Sequence, residues 1–269
     1  MTAATVFVEA PARPRDRLHH AVGDTLTIAQ RNLITLRRVP QLLIFSTIQP
    51  VIFVLLFRYV FGGAIHVPGV PYVDFLMPGV FAQTVAFGSM NTAIGLAADV
   101  NTGLIERFRS LAMARSAVLA GRTLADAVRN VLVVVLMAAV GFAVGFRVHT
   151  NAVAFLGALA LLVLFGYALS WVFAAVGLAV GDPETAQAAA FPLMAPLVFA
   201  SSAFVPVGTM PGWLQAFARN QPLSVVVSAS RALVLGGPTA THVLQALAWC
   251  AAILAVAAPL AVRRYRRAA

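Results

Sequence analysis

Side chains able to perform acid–base, nucleophilic or metal chemistry are few in this sequence and lie far apart. The carboxylates and histidines are scattered, and the densest acidic group is the turn Asp182-Pro183-Glu184. The single cysteine, Cys250, falls inside an apolar stretch, where we expect a small structural role. Because the sequence contains no Lys, it cannot hold the ATP-binding motif GxxxxGK followed by Ser or Thr. We therefore expect no catalytic residue, no metal site and no bound cofactor.

One polar segment, Asp99–Asn130, has a pattern that indicates binding rather than catalysis. Apolar residues fall on one face of a short helix, and charged residues fall on the others. The apolar face holds Leu104, Ile105, Phe108, Leu111 and Ala112, and the other faces hold Glu106, Arg107, Arg109 and Ser110. Such a helix can lie on a membrane or dock into a groove of a cytosolic partner, and the residues alone favour neither. Farther along, Arg122 and Asp126, and Asp126 and Arg129, have the spacing of helical ion pairs.

Apolar stretches long enough to cross a bilayer flank this segment. We predict six spans, at Leu42–Phe61, Phe75–Ala98, Val128–Phe146, Ala152–Val180, Ala188–Val205 and Val243–Val262. A spanning helix needs about 20 mostly apolar residues, and no period-2 alternation indicates strands. With 61% hydrophobic and 10% charged residues and a mean hydropathy of +0.89, the chain has too little polar surface for a soluble protein. The sequence predicts an all-α polytopic membrane protein.

The arginines predict the orientation of the chain in the membrane. All 19 basic residues are Arg, and counting alternate loops places fifteen on one side and four on the other. The side with fewer arginines carries Arg58, Arg147, Arg219 and Arg231. Because loops rich in Arg stay in the cytoplasm, we predict that both termini are cytoplasmic. The net charge of +10 then reflects topology and not nucleic-acid binding, and the bias to Arg, Ala and Val without Lys is typical of a GC-rich bacterial genome.

We predict four regions along the chain. They are a disordered cytoplasmic tail at 1–21, an amphipathic interfacial helix at 22–40, a six-helix transmembrane domain at 41–262 and a basic cytoplasmic tail at 263–269. The interfacial helix is predicted from one apolar face, formed by Val22, Leu26, Ala29, Leu33 and Leu36.

Proline and glycine modify the predicted spans. Pro50 lies midway in the first span, and Pro192 and Pro196 lie in the fifth, which we therefore predict to be a broken helix. The stretch Pro222–Leu235 is too short to cross, so we predict an outer re-entrant hairpin, serving as a lid or as a structural element. Two GxxxG spacings, which allow close helix contact, occur at Gly141–Gly145 and Gly177–Gly181.

Three stretches of the chain, from about Thr25 onwards, resemble the ABC-2 family of exporter permeases, particularly its daunorubicin-resistance type. The first reads FLMPGVFAQTVAFGSMNTAIGLAADVNTGLIERFRSLAMARSAVLAGRTLADAVRN and is similar to the coupling-helix region of that family. The second reads GDPETAQAAAFPLMAPLVFASSAFVPVGTMPGWLQAFARNQPLSVVVSASRAL and is similar to its broken fifth helix and outer re-entrant helices. The third is the Arg-rich tail.

The resemblance implies a half-size permease of the bacterial plasma membrane, surrounded by lipids. It implies pairing with a second permease, identical or homologous, and with two separate ATPase subunits that bind ATP and Mg. The residues implied to couple the permease to the ATPase are Leu104, Ile105, Glu106, Arg107, Phe108, Arg109 and Leu111. The second and fifth spans are implied to line the cargo path, with Phe81, Phe87, Met90, Met194 and Phe199 as candidates that would serve equally well as bundle core.

The expected function is outward transport of a hydrophobic or amphipathic compound, a drug or a lipid-like molecule, driven by ATP hydrolysed in the partner. One alternative is a permease for a lipid-linked polysaccharide, for which more Trp and Tyr would be expected in the spans. Another is a membrane assembly factor without transport. An enzyme is disfavoured because the sequence lacks an acid–base or metal constellation.

Overall fold

The computed structural model describes residues 23, 25, 27–30, 34, 41–65, 67, 69–105 and 115–267, which form helices joined by short loops. The helices are α1 (Gln41–Leu55), α2 (Tyr72–Asn101), α3 (Arg115–Ala143), α4 (Ala152–Val180), α5 (Pro183–Phe199), α6 (Gly212–Asn220), α7 (Pro222–Leu235) and α8 (Thr239–Arg267). A π-helical turn, Leu56–Phe61, continues α1 beyond Pro50, and a 3-10 turn, Val207–Thr209, precedes α6. Since no strand occurs within these ranges, the predicted all-α class is confirmed.

Three helical segments are long and apolar enough to cross a membrane. They are Leu119–Ala143 in α3, Ala152–Val180, which is the whole of α4, and Thr239–Arg267, which is α8. The fourth predicted span therefore coincides with its helix. The third begins earlier and ends earlier than predicted, and the region predicted as a basic tail is helical as far as Arg267.

The second predicted span lies within α2, which is long but less apolar than those three segments. Five polar residues near its middle lower its hydropathy, namely Gln83, Thr84, Ser89, Asn91 and Thr92. Most of α2 is nevertheless buried, because α4 and α5 pack along it. Of these five side chains, all except Asn91 are buried, so they face protein rather than lipid.

The fifth predicted span, Ala188–Val205, was wrong in both its bounds and its break. Helix α5 begins at Pro183 and passes through Pro192 and Pro196 without interruption before ending at Phe199. Each proline deprives one carbonyl of its helical partner, but packing against neighbouring helices lets the helix continue. The non-helical segment follows instead at 200–206.

Helix α4 lies at the centre of the bundle, in contact with α2, α3, α5, α7 and α8. A Cβ atom at Gly177 of α4 would lie 2.3 Å from the carbonyl oxygen of Ala93, so the backbones of α4 and α2 touch. The predicted close contact is therefore present at the first glycine of this GxxxG pair. The second glycine, Gly181, has a φ of +73° and ends α4, because a left-handed conformation favours glycine.

Candidate transport site

A polar cavity of about 100 Å³ opens between α1, α2 and α3. Its lining consists of Gln49, Pro50, Gln83, Thr84, Phe87, Gly88, Asn91, Arg129, Asn130 and Val133. The cavity therefore combines amide, hydroxyl and guanidinium groups with the aromatic ring of Phe87. Such groups are costly inside a membrane and are typical of functional positions.

Two amide side chains of the cavity, Gln83 and Asn130, are each only 2% exposed. The Oε1 atom of Gln83 and the Nδ2 atom of Asn130 are buried and have no hydrogen-bond partner among the described residues. An unpaired buried polar group costs about 1–3 kcal/mol. The arrangement thus leaves one acceptor and one donor enclosed by protein at this cost, rather than exposed to the cavity.

Glycines on two helices make room for the Asn130 amide. A Cβ atom at Gly88 of α2 would lie 2.7 Å from Asn130 Oδ1, and one at Gly166 of α4 would lie 2.9 Å from Nδ2. Both distances are too short for a real side chain. The amide is therefore wedged between α2 and α4, and its position depends on the absence of side chains at these two glycines.

The positive charge beside the cavity is compensated within the protein. Arg129 Nη1 lies 3.2 Å from Asp126 Oδ1, which confirms one of the two predicted ion pairs. Arg129 Nη2 donates a hydrogen bond of 2.6 Å to the carbonyl oxygen of Gly88. Asp126 Oδ2 in turn accepts a hydrogen bond of 2.5 Å from Thr92 Oγ1. The cavity therefore presents neutral hydrogen-bonding groups and a guanidinium whose charge is balanced by Asp126.

The five predicted path residues occupy different environments in this conformation. Phe81, Met90 and Met194 are buried in the bundle core, where Phe81 packs edge-to-face against Phe146 at 6.0 Å. Phe87 lines the polar cavity, and Phe199 is 51% exposed. Only Phe87 and Phe199 therefore combine a ring with accessible surface, and a role in a cargo path stays a prediction for all five.

The other predicted ion pair, Arg122 with Asp126, was wrong, because Arg122 pairs with a different carboxylate. Arg122 Nη1 instead lies 2.7 Å from Asp99 Oδ2, at the other end of the polar segment between α2 and α3. Its guanidinium crosses α2 at Gly95, where any Cβ atom would collide with it. Arg122 and Asp126 do have helical spacing, but the Arg122 guanidinium pairs with Asp99 of α2 instead of with Asp126 of its own helix.

An apolar cluster on the predicted cytoplasmic side joins several elements. Ile105 is 3% exposed and belongs to the same buried cluster as Ile28, Leu96, Leu119 and Tyr265. The N-terminal helical residues thus contact α3, where a Cβ atom at Gly121 would lie 2.8 Å from Ile28 Cβ. Of the other predicted coupling residues, Leu104 is half-buried, and Glu106, Arg107, Phe108, Arg109 and Leu111 lie outside the described residues.

The opposite end of the bundle is held by polar contacts to main-chain groups. Arg231 of α7 donates hydrogen bonds of 2.9 Å to the carbonyl oxygens of Phe75 and Ala203. The buried Asp74 carboxylate accepts a hydrogen bond of 2.8 Å from the Arg147 backbone N–H and lies 2.7 Å from His149 Nε2. These contacts fix α7 and the loop after α3 to the beginning of α2.

The remaining acidic turn has a structural role. The Asp182 side chain caps α5 by accepting a hydrogen bond of 2.8 Å from the Thr185 backbone N–H. This hydrogen bond, with a second from the Thr185 hydroxyl, lowers the pKa of the Asp182 carboxyl below its usual value. Within the described ranges, no three His, Cys, Asp or Glu side chains are placed to hold a metal ion.

The polar cavity was missed by the sequence reasoning, although the sequence contains a signal for it. Gln83, Thr84 and Asn91 interrupt one apolar stretch, and Arg129 and Asn130 interrupt another. Polar residues inside predicted spans mark functional or packing sites. Pattern alone, however, does not show that these two sets face each other.

Comparison with known proteins places this architecture in a family. The family model described as ABC-2 type transporter matches residues 24–235. The daunorubicin resistance ABC transporter permease protein of Streptomyces coeruleorubidus is 36% identical over 96% of this chain and 89% of its own. A probable doxorubicin resistance ABC transporter permease protein of Mycobacterium tuberculosis is 29% identical over 92% and 90%. A putative transport permease of Pyropia yezoensis is 26% identical over 80% and 75%.

Proposed function

Because the chain belongs to the ABC-2 type transporter family, we propose that it exports a hydrophobic or amphipathic compound from a bacterial cell. The chain is a membrane permease subunit of the ABC transporter class, a class of subunit that lacks the ATPase domain. The observation that carries the proposal is the similarity over nearly the full chain to a daunorubicin resistance permease. Outward direction and drug-like cargo come to this chain from that relative.

ATP binding and hydrolysis belong, in this proposal, to two partner subunits that hold ATP and Mg. The chain provides the coupling surface at 104–111, with Glu106, Arg107 and Arg109 as its charged contacts. The buried packing of Ile105 with Leu119 and Ile28 supports this assignment, because a displacement of the coupling helix would be passed directly to α3 and to the N-terminal helix. Close-packed interiors transmit such shifts rather than absorb them.

The proposed topology has six spans, with both termini cytoplasmic in the bacterial plasma membrane. Three segments already have the length and hydropathy of spans. The additional spans would be α1 with its π-helical turn, α2 and α5, and α6–α7 would form the outer re-entrant hairpin. The strong burial of α7 supports this hairpin, because a short helix held by α2, α4 and α8 need not cross the bilayer.

The cargo path is proposed to lie along α2 and α5 and to be completed by a second permease. The exposed rings of Phe191 and Phe199 on α5 support an apolar path facing a partner subunit. Phe87 on α2 stacks on Phe191 with ring centroids 6.3 Å apart, so one aromatic pair joins the two helices. Such an apolar path suits planar or lipid-like molecules better than sugars.

The proposal is tested with the permease co-expressed with a candidate ATPase subunit and reconstituted into inverted vesicles. We expect the two chains to copurify and the vesicles to accumulate daunorubicin when ATP and Mg are added. Vesicles whose ATPase subunit lacks its ATP-binding Lys provide the control. Copurification without uptake of daunorubicin or of the hydrophobic cation rhodamine 6G would contradict drug export and leave the polysaccharide permease and the assembly factor as alternatives.

A further inference from the structure

An apolar groove of about 430 Å³ lies between α4 and α8 and ends at a charged residue. Its wall on α8 runs from Trp249 to Leu260, and Arg264 lies at one end. Only 17% of the most apolar part of α8 is buried in the bundle, so this side of the helix faces the surroundings of the protein. The groove therefore offers an apolar surface and a cation to a molecule outside the bundle.

The apolar part of the groove has the length of one membrane leaflet. The distance along an α-helix from Trp249 to Leu260 is about 17 Å, at about 1.5 Å per residue. Half of a hydrocarbon core of about 30 Å is about 15 Å. Arg264, one turn beyond Leu260, then lies at the level of the lipid headgroups. An acyl chain in the groove would therefore bring the phosphate of the same lipid to this guanidinium.

The guanidinium of Arg264 is positioned by the main chain but is not neutralised. Its Nη1 atom donates a hydrogen bond of 2.9 Å to the carbonyl oxygen of Ala175 of α4, another residue that lines the groove. The side chain is half-buried and forms no ion pair with a carboxylate of the described residues. A guanidinium has five N–H donors, so donors remain for the oxygens of a bound anion.

Two more arginines extend the charged end of the groove. A helical period of 3.6 residues places Arg263 and Arg267 on the same face of α8 as Arg264. The same period places Arg266 on a different face. Arg263 and Arg267 are exposed, and neither forms an ion pair within the described part of the chain. Guanidinium groups bind phosphate oxygens through paired hydrogen bonds, and basic pockets between membrane helices bind anionic headgroups.

A second apolar groove lacks such a charged end. It lies between α3 and α4, has a volume of about 590 Å³, and is lined by aliphatic side chains and Tyr167. Lipid of any headgroup can cover this second groove, because no charged residue lines it. The groove between α4 and α8 differs in its arginines, so charge selects its occupant.

We infer that the groove between α4 and α8 is a binding site for an anionic phospholipid, with an acyl chain along Trp249–Leu260 and the phosphate at Arg264. Arg263 and Arg267 supply further positive charge. A zwitterionic phospholipid carries the same phosphate, but its own cation offsets the attraction, so a lipid with a net negative charge binds more tightly. The site is separate from the proposed cargo path and depends neither on the exported compound nor on the direction of transport.

The first test measures how brominated lipids quench the fluorescence of Trp249 in bilayer vesicles that contain the purified full chain. Trp213→Phe removes the exposed tryptophan of α6, and Trp171 is buried, so Trp249 reports lipid contact. We expect dibrominated phosphatidylglycerol to bind about tenfold or more tightly than dibrominated phosphatidylcholine, since each Arg contributes a factor of about five. Equal quenching by both lipids would overturn the proposal, and quenching by neither would show that protein covers the groove.

Arginine variants test which charges cause the preference. Arg264→Gln should lower the preference for phosphatidylglycerol about fivefold, and the double variant Arg263→Gln with Arg267→Gln should lower it at least as much. The double variant changes only exposed side chains, so its result does not depend on the hydrogen bond to Ala175. Arg266→Gln removes the same charge from another face and should keep the preference. An equal loss in Arg266→Gln, or an unchanged preference in the double variant, would overturn the site.

Discussion

Arg231 of α7 donates a hydrogen bond of 2.9 Å to the carbonyl oxygen of Ala203, in the non-helical segment that follows α5. The same guanidinium bonds the Phe75 carbonyl of α2 and lies 3.5 Å from the centre of the Phe75 ring. Ala203 in turn lies so close to α2 that a Cβ atom at Gly79 would collide with its carbonyl oxygen. One side chain therefore holds α2, α7 and the end of α5 together.

These contacts of the Arg231 guanidinium predict that Arg231→Lys destabilises the protein although the positive charge is retained. An ammonium group lacks the planar fork that reaches two carbonyls while stacking on a ring, so one charged hydrogen bond is lost. We expect a loss of about 1.5–3 kcal/mol, measured as a lower unfolding transition of the detergent-solubilised protein. Arg219→Lys on α6, where the arginine is exposed and bonds Gln215, is the control. Equal unfolding transitions for the two variants would show that the Arg231 contacts do not stabilise the fold.

The Asp99–Arg122 pair predicts a link between the inner ends of α2 and α3 and the ATPase. We expect Asp99→Asn to reduce drug-stimulated ATP hydrolysis and to cost about 1–3 kcal/mol, because the pair is largely shielded from water. The double variant Asp99→Arg with Arg122→Asp should recover part of both losses. Stimulated hydrolysis in Asp99→Asn equal to that of the unmodified complex would assign the pair to packing alone.

The coupling residues predict two distinguishable phenotypes. Glu106→Ala and Arg107→Ala should insert normally but lower ATP hydrolysis in the assembled complex, since truncating one partner of a buried interfacial charge pair costs about 2–5 kcal/mol. Ile105→Ala should instead destabilise the permease itself by about 2–5 kcal/mol, because Ile105 is buried within the chain. Hydrolysis rates and unfolding transitions, measured on the same preparations, separate the two effects. Normal hydrolysis in both charge variants would contradict the coupling assignment.

The path residues predict opposite results for two phenylalanines. Phe199→Ala should retain expression and change the relative uptake of several amphipathic compounds, because its ring is exposed and loses about 1–3 kcal/mol of apolar contact with a cargo. Phe81→Ala should lower the free energy of unfolding by about 3–5 kcal/mol, because its ring is buried against Phe146. Its main effect should therefore be less folded protein. Unchanged cargo preference in Phe199→Ala, with folded protein retained, would remove this ring from the path.

The arginine distribution predicts which positions face the cytoplasm. In a chain with Cys250 replaced, single cysteines at Ser116 or Ala268 should be protected from an impermeant thiol reagent added to whole cells. Cysteines at Gly69 or Thr209 should react. The reactivity after permeabilising the cells verifies that each thiol is accessible. Labelling at Ala268 in intact cells would contradict the six-span topology.

Much of the fold follows from local pattern, and the failures have identifiable physical causes. The bounds of α4 were predicted correctly because its apolar run begins after Asn151, whose side chain caps the helix, and ends at Gly181. The break predicted in α5 was wrong because the low helix propensity of Pro192 and Pro196 does not account for packing against the surrounding helices, which lets the helix continue. Of the two ion pairs predicted from spacing along α3, Asp126–Arg129 is present and Arg122–Asp126 is not. Spacing along one helix does not show that Asp99 of α2 lies next to Arg122.

The sequence by itself determined the membrane class, the helical architecture and the resemblance that the family match confirmed. These properties depend on composition and on order along the chain. Only the tertiary structure decided that Gln83 and Asn130 line the same cavity, that Phe81 is core while Phe199 is exposed, and that Arg231 holds three elements. Such relationships join residues on different helices, and helix rotation and packing, which have no short-range signature in the sequence, decide which faces meet.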